Sequence, residues 1–214
     1  MEKIAIIGAG GFGREVKVLI DDINKANPTY EIIGFFDDAI EKGTAVNGLP
    51  VLGKLANINN VDYSLKLALG IGVPTIKEKA ISNIKNNQID FPSLIHPSVI
   101  MSDDDVNIGK GTIICAGNII TCNIELKDFI TLNLSCTIGH DTVIENFSSF
   151  MPTVNISGEV VIHKNVYVGT GAKIINQLSI GENTIVGAGA VVSKTLPANC
   201  TAVGIPAKPI KFHS

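Results

Sequence analysis

The chain lacks tryptophan, has few aromatic residues of any kind and contains no long run of basic residues. Aromatic residues make up 5% of its 214 residues, and the formal net charge is −3. Nucleic-acid-binding proteins typically carry a basic stripe, and single-strand binders stack bases on aromatic side chains. The composition therefore argues against nucleic acid as a partner.

Long apolar runs are also missing, so no segment is expected to insert into a membrane. The opening MEKIAIIGAG lacks the basic region and the long apolar core of a secretory signal. The four cysteines form no Cys-x-x-Cys pair, and we expect them to be reduced and mostly buried. These features together predict a cytoplasmic location.

What the first ninety residues do contain is an alternation of apolar strands and helical patterns. Strands are predicted at 3–7, 31–36 and 65–69, and helices at 14–23 and 75–86. Such alternation is typical of a parallel sheet with helical crossovers. The segment is too short for a complete dinucleotide-binding domain, so we assign residues 1–92 to a half-Rossmann α/β domain.

A different pattern follows, in which every sixth residue from Ile108 to Val192 is apolar. The residue four places later is mostly small or apolar, and glycine often follows the apolar position directly. A period of six fits neither a helix nor an alternating strand and predicts a parallel β-helix with a buried apolar column. We assign residues 93–214 to this domain, with Ile95, Val99 and Met101 in an opening coil one residue out of phase and Pro197 closing the array.

Several motifs, in order, resemble a known family: GAGGFGREV, GFFDD, LALGIG, LIHPSV, LNLSCTIGHD and VGIPAKPI. The chain is similar over nearly its whole length to hexapeptide-repeat sugar acetyltransferases of the PglD/NeuD family, which are bacterial enzymes. The resemblance implies a left-handed β-helix, an exception to the usual right-handed crossover. It also implies a homotrimer with active sites between subunits and acetyl-CoA along the groove between adjacent β-helices.

His140 is the main catalytic candidate. It lies two places after the core position Ile138, so its side chain is expected to point outward, where it could accept a proton from an attacking amine or hydroxyl. Asp141 could hold the imidazole in the required tautomer. The resemblance makes this pair the general base and its orienting acid; a surface histidine without a role is the alternative. Zinc, which some β-helix enzymes bind through three converging histidines, is not expected, because His140 and His163 are widely separated.

The GAGGFG loop satisfies the G-x-G-x-x-G pattern after a strand and before a helix, and an acidic pair follows the second strand. In isolation these features suggest NAD, and a structural turn is a further alternative. The resemblance instead implies that they hold the nucleotide of a UDP-sugar, with Asn133 near the acceptor sugar or serving only as a corner residue. Some relatives that act on UDP-amino sugars carry histidine where this chain has Phe12. The residues implied for the nucleotide are Gly10, Gly11, Phe12, Gly13, Asp37, Asp38, Gly70 and Ile71.

The acetyl-CoA residues are also implied by the resemblance. Gly158, Thr170 and Ala188 match positions that line the pantetheine arm, and Lys208 could meet a phosphate near the adenine end. Ser149 stands where some relatives have a histidine that contacts the acetyl carbonyl.

The leading hypothesis is direct acetyl transfer from acetyl-CoA to a UDP-linked 4-amino sugar, with no metal. The alternatives are O-acetylation of sialic acid or of a surface polysaccharide, and a non-catalytic scaffold that binds sugar nucleotides.

Overall fold

The computed structural model of the chain describes residues 1–213, and its N-terminal part is a parallel sheet flanked by helices. The elements are β1 (Glu2–Ile7), α1 (Gly11–Ala26), β2 (Tyr30–Phe36), β3 (Ala45–Val46), β4 (Leu49–Gly53), a 3-10 helix (Leu55–Asn60), β5 (Leu65–Leu69), α2 (Pro74–Ser82) and β6 (Ile89–Asp90). The strand order is β3-β4-β2-β1-β5-β6, and only the β3–β4 pair is antiparallel. The predicted parallel sheet is confirmed.

Helix α2 is shorter than the predicted 75–86. It ends at Ser82, because the next residues form a polar turn that is tied to the 3-10 helix. The side-chain amide of Asn86 donates to the carbonyls of Ile58 and Val61, at 3.0 and 2.7 Å. These bonds compete with continuation of the helix.

From Leu94 the chain winds into a left-handed, three-sided parallel β-helix, as predicted. The first face contains β7 (Leu94–Ile95), β10 (Ile113–Ile114), β13 (Thr131–Leu132), β16 (Ser149–Phe150), β19 (Tyr167–Val168), β22 (Ile185–Val186) and β24 (Cys200–Val203). The second contains β8 (Ile100–Met101), β11 (Ile119–Ile120), β14 (Thr137–Ile138), β17 (Asn155–Ile156), β20 (Lys173–Ile174) and β23 (Val191–Val192). The third contains β9 (Val106–Ile108), β12 (Ile124–Leu126), β15 (Val143–Ile144), β18 (Val161–Ile162) and β21 (Ser179–Ile180).

The pairing register explains the period of six. Ile113 pairs with Thr131, and Thr131 pairs with Ser149, so one coil takes eighteen residues, or six for each face. Every sixth residue from Ile114 to Val192 points inward and is at most 2% exposed. The buried column supplies the main apolar stabilisation of the β-helix.

The opening coil is one residue longer than the others. Met101 pairs with Ile120, nineteen residues away, whereas Ile108 pairs with Leu126 after eighteen. The extra residue therefore lies between Met101 and Ile108, and the predicted change of phase is confirmed.

Pro197 does not close the array, contrary to the prediction. Leu196 still makes a parallel bridge to Ile180, and β24 then adds a further strand to the first face, with Ala202 opposite Val186. The array ends instead at β25 (Lys208–Phe212), which pairs with β24 in the antiparallel direction. A proline between two strands interrupts one ladder position without preventing the next strand from pairing.

The N-terminal domain packs on the first face of the β-helix. Helix α2 contributes Lys77, which is fully buried and whose Nζ lies within hydrogen-bond distance of Phe129 O (2.8 Å), Thr131 Oγ1 (3.1 Å) and Ser148 O (3.3 Å). Within residues 1–213 neither helix is long and apolar enough to cross a membrane.

Candidate active site

His140 lies on the edge between the second and third faces of the β-helix. It follows β14, two residues after the buried Ile138, and its side chain is 56% exposed. The outward direction predicted from the six-residue phase is therefore the observed one. This edge lies opposite the first face, which the N-terminal domain covers.

Asp141 fixes the state of the imidazole. Its Oδ2 lies 2.7 Å from Nδ1 of His140, and because a carboxylate only accepts hydrogen bonds, Nδ1 carries a proton; in the neutral imidazole, Nε2 then keeps its lone pair. The hydrogen bond from His140, followed by one from Asn123, lowers the pKa of Asp141 below its usual value. The carboxylate is therefore ionised at neutral pH and favours this tautomer.

Asn123 is a member of the cluster that the sequence reasoning missed. Its Nδ2 donates to Oδ1 of Asp141 at 2.9 Å. The only signal available in the sequence was the separation of eighteen residues, one full coil, between Asn123 and Asp141.

Gly158 lies directly against the imidazole. A methyl group at this position would lie 2.4 Å from Nε2 and 2.5 Å from Cε1 of His140. Real Cβ atoms do not approach other atoms so closely, so the ring of His140 occupies space that only glycine leaves open.

The other residues matched to acetyl-CoA are on different edges or buried. Thr170 and Ala188 are exposed and stack one coil apart on the edge between the first and second faces, and Lys208 is exposed on β25. Gly158 is one full face away from Thr170. The structure therefore does not bring these residues together into one groove of a single chain.

Ser149 does not have the accessible hydroxyl that a contact with the acetyl carbonyl requires. It is fully buried, and its Oγ makes no hydrogen bond to any residue in 1–213. The reason is its place beside Thr131 on the first face, where Lys77 of α2 packs. Asn133 is also buried, at the edge between the first and second faces, and its Oδ1 accepts from the backbone of Leu134. It lies at the opposite end of the second face from His140.

The glycine loop is built by close backbone packing. A Cβ at Gly13 would lie 1.9 Å from Gly8 O, and one at Gly70 would lie 2.5 Å from the Cα of Gly13. In contrast, nothing lies within 4 Å of a Cβ built at Gly10. Helix α1 begins at Gly11 without a side-chain cap or an acidic residue in its first turn. The loop thus presents open backbone and a helix N-terminus, which suits an anionic group.

The remaining residues of the proposed nucleotide site surround this loop. Ile71 follows Gly70 at the end of β5, and Phe12 is half-buried against the helical side of the sheet. Asp37 and Asp38 have local partners, because Asp37 accepts from the backbone amides of Ala9 and Ala39, and Asp38 accepts from that of Leu55. The acidic pair therefore holds the loops in place, and each carboxylate keeps unused lone pairs for a ligand.

No metal centre is formed by the described part of the chain: within residues 1–213 no three His, Cys, Asp or Glu side chains converge. His163 instead pairs with Glu145, with Nδ1 3.4 Å from Oε2, on the edge between the third and first faces.

A β-helix of six-residue repeats that presents an oriented histidine on one edge has the architecture of the hexapeptide-repeat acyltransferases. Residues 3–84 match the family described as PglD N-terminal domain, and residues 159–194 match bacterial transferase hexapeptide (six repeats). The chain is 31% identical over 218 residues to a GDP-perosamine N-acetyltransferase of Escherichia coli O157:H7, covering 99% of this chain and 97% of the relative. It belongs to the PglD/NeuD-type sugar acetyltransferases and is an acetyl-CoA-dependent sugar acyltransferase.

Two solved structures are similar to this chain over nearly their whole length. One is the acetyltransferase domain of PglB from Neisseria gonorrhoeae FA1090 in complex with acetyl coenzyme A, with a TM-score of 0.89, 32% identity, and coverage of 98% of this chain and 99% of that one. The other is a histidine-to-asparagine variant of perosamine N-acetyltransferase from Caulobacter crescentus in complex with CoA and GDP-perosamine. It has a TM-score of 0.87 and 28% identity, and covers 99% of this chain and 98% of that one.

Proposed function

We propose that the chain N-acetylates a nucleotide-linked amino sugar, with acetyl-CoA as the donor and His140 as the general base. The observation that carries this proposal is the His140–Asp141 pair, in which Nδ1 donates to the carboxylate and Nε2 is free. The acceptor nitrogen attacks the thioester carbonyl, a C–N bond forms, and the C–S bond breaks to release CoA. Nε2 takes the proton that the nitrogen loses, and the imidazolium returns it to the leaving thiolate or to water.

The choice of nitrogen over oxygen as the nucleophile is supported by two full-length relatives that are named N-acetyltransferases, one of them crystallised with GDP-perosamine. The sequence resemblance implies uridine as the base of the nucleotide, whereas two of the named relatives are described with GDP-perosamine, a guanosine nucleotide. We infer a nucleoside diphosphate in either case, with the diphosphate at Gly10 and Gly11 and the N-terminus of α1. We therefore propose that residues 1–92 bind the nucleotide and that residues 93–214 carry out acetyl transfer.

The active site is proposed to form between subunits of a homotrimer. The N-terminal domain packs on the first face, and His140 lies on the opposite edge, so we expect a sugar nucleotide held by the glycine loop to meet His140 of a neighbouring chain. An edge carrying Thr170 and Ala188 on one subunit would face the His140 edge of its neighbour. Acetyl-CoA would then lie between them, with Gly158 near the thioester and Lys208 near a phosphate at the adenine end. Closed threefold association satisfies this requirement without leaving an open interface.

The test is an acetylation assay with UDP- and GDP-linked 4-amino sugars, read by release of free thiol and by the mass of the product. His140→Ala should lower kcat by roughly 10²–10⁴, the usual contribution of a general base. Acetyl-CoA affinity and the melting temperature should change little, because the side chain is exposed. His163→Ala is the matched control, since it removes a second histidine–carboxylate pair from another edge. Near-normal turnover by His140→Ala would rule out the mechanism.

A further inference from the structure

A ladder of polar side chains runs along the edge that carries His140. Asn123, Asp141, Glu159 and Gln177 follow one another at intervals of eighteen residues, and their φ angles are 55°, 58°, 57° and 61°. Adjacent coils of a parallel β-helix lie about 4.8 Å apart, so equivalent side chains can form hydrogen bonds from coil to coil. We call these four residues the corner ladder.

The corner ladder contains two amide-to-carboxylate hydrogen bonds. Asn123 Nδ2 donates to Asp141 Oδ1 at 2.9 Å, and Gln177 Nε2 donates to Glu159 Oε2 at 3.1 Å. The second bond lies in the coils beyond His140 and does not touch Asp141. The two bonds are chemically equivalent, but only the first reaches the catalytic pair.

The hydrogen bond from Asn123 fixes the orientation of the Asp141 carboxylate. Oδ1 accepts from Asn123 and Oδ2 accepts from His140, so each oxygen has its own donor. Asp141 is 49% exposed, and an ion pair at such a position is only weakly held by itself. A neutral amide adds a second anchor without adding a charge, and the backbone N–H of Asn123 is itself held by Asp104 O at 3.0 Å.

We propose that Asn123 is a positioning residue, which turns the Asp141 carboxylate so that the proton of His140 stays on Nδ1 and Nε2 faces the acceptor amine. This inference rests on the proposed function of His140. Asn123 acts through Asp141 and touches neither substrate.

The first experiment compares Asn123→Asp with Gln177→Glu. Each change replaces an amide by a carboxylate of the same shape, facing an acid in the adjacent coil, at a position with positive φ. Asn123→Asp should lower kcat about tenfold, the order expected for loss of a hydrogen bond to a charged group, and leave the KM for acetyl-CoA unchanged. Gln177→Glu should keep kcat within about twofold of the parent, since its bond lies away from the base. Equal effects of the two variants on kcat would refute a positioning role for Asn123 and leave it with a structural role in the corner ladder.

The second experiment is a rescue. In Asp141→Asn the new amide can turn its NH₂ group toward His140 and favour the wrong tautomer. Adding Asn123→Asp supplies a carboxylate that accepts from this NH₂ group and turns the amide oxygen back to Nδ1. The double variant should therefore have a higher kcat than Asp141→Asn alone. If its kcat equals or falls below that of the single variant, residue 123 does not orient residue 141.

A readout without turnover separates this inference from the function on which it rests. Nitrogen-15 NMR of the imidazole groups, with His140 assigned by comparison with His140→Ala, reports which ring nitrogen carries the proton. The parent and Gln177→Glu should show the Nδ1–H tautomer, and Asn123→Asp should show a mixture. A parent that acetylates no amino-sugar nucleotide but shows this difference would refute the function and support the positioning. An active parent whose His140 tautomer is the same in all three proteins would support the function and refute the positioning.

Discussion

The imidazole of His140 contacts the backbone of Gly158, so the space left by a missing side chain is part of the proposed catalytic edge. Gly158 is buried although it lies at an edge of the β-helix, because the histidine ring covers it. We expect this contact to determine where Nε2 points, together with the hydrogen bond to Asp141.

Gly158→Ala should therefore impair catalysis without unfolding the protein. The methyl group would lie 2.4 Å from Nε2, and the exposed ring is the group that moves most easily. We expect kcat to fall at least tenfold, as about 1.4 kcal/mol of transition-state stabilisation is lost, with little change in melting temperature. Ser157→Ala removes an exposed hydroxyl one residue earlier and should leave kcat unchanged. A Gly158→Ala variant with the kcat of the parent would show that the imidazole of His140 can adopt another position without loss of activity, and would contradict the prediction.

How far the sequence predicts individual residues depends on what holds each one. The direction of His140 follows from its distance to Ile138, and Asp141 is its neighbour in the chain, so both were predictable. Asn123 was missed because only the register between coils brings it to Asp141. The burial of Ser149 was missed because the six-residue phase tells which way a side chain points, but not that another domain covers it.

Helix α2 inserts a buried amine, that of Lys77, between the two domains, and this makes stability depend on pH. Burial lowers the pKa of Lys77 well below its ordinary value of 10.5. The unfolded chain therefore binds a proton more readily than the folded one, and the free energy of unfolding rises with pH up to 10.5, where the unfolded lysine also loses its proton.

Lys77→Met should remove this dependence. As the pH rises toward about 10, the unfolding free energy of the parent should rise relative to that of the variant, as measured by urea denaturation. Lys66→Met is the control, because the hydrogen bond from Lys66 to Asp90 raises the pKa of this lysine. A lysine whose folded pKa is raised contributes fully to the unfolding free energy until the pH rises above the ordinary lysine pKa. The unfolding free energies of the parent and of Lys66→Met should therefore differ by a constant amount over this pH range. If the unfolding free energies of the parent and Lys77→Met changed with pH by the same amount, the prediction would be wrong.

The bounds of the strands and helices show which of them the local sequence pattern is sufficient to predict. The strands from Ile113 to Val192 follow from the period of six, because burial of the column imposes the same register on every coil. The end of α2 depends on Asn86 reaching the carbonyls of Ile58 and Val61, and the strand beyond Pro197 depends on pairing with β22. Both depend on residues distant in the chain, which local periodicity does not report.

The proposed trimer makes a prediction that a monomeric enzyme would not share. His140→Ala and Gly11→Glu should each have very low activity as pure proteins, the second because its carboxylate at the start of α1 repels a phosphate of like charge. Gly11 has open space for a side chain, so this variant should fold. When the two chains are co-expressed and mixed assemblies are isolated, activity should return, because an intact glycine loop on one chain can serve an intact His140 on another.

Light scattering should show three chains per assembly for the parent and for both variants. Mixed assemblies that remain inactive would place the whole site within one chain. A stable monomer at micromolar concentration would refute the trimer itself.

The antiparallel strand β25 has a consequence for how molecules meet end to end. A parallel coil with an open last rung offers the first coil of another molecule a ready template, and repeated addition would give a filament. Because β25 runs against β24, the next rung cannot continue the winding, and its free edge carries Lys208, Pro209 and Lys211, residue types that disfavour further pairing. We therefore expect the C-terminal hairpin to hinder end-to-end association of β-helices through the first face.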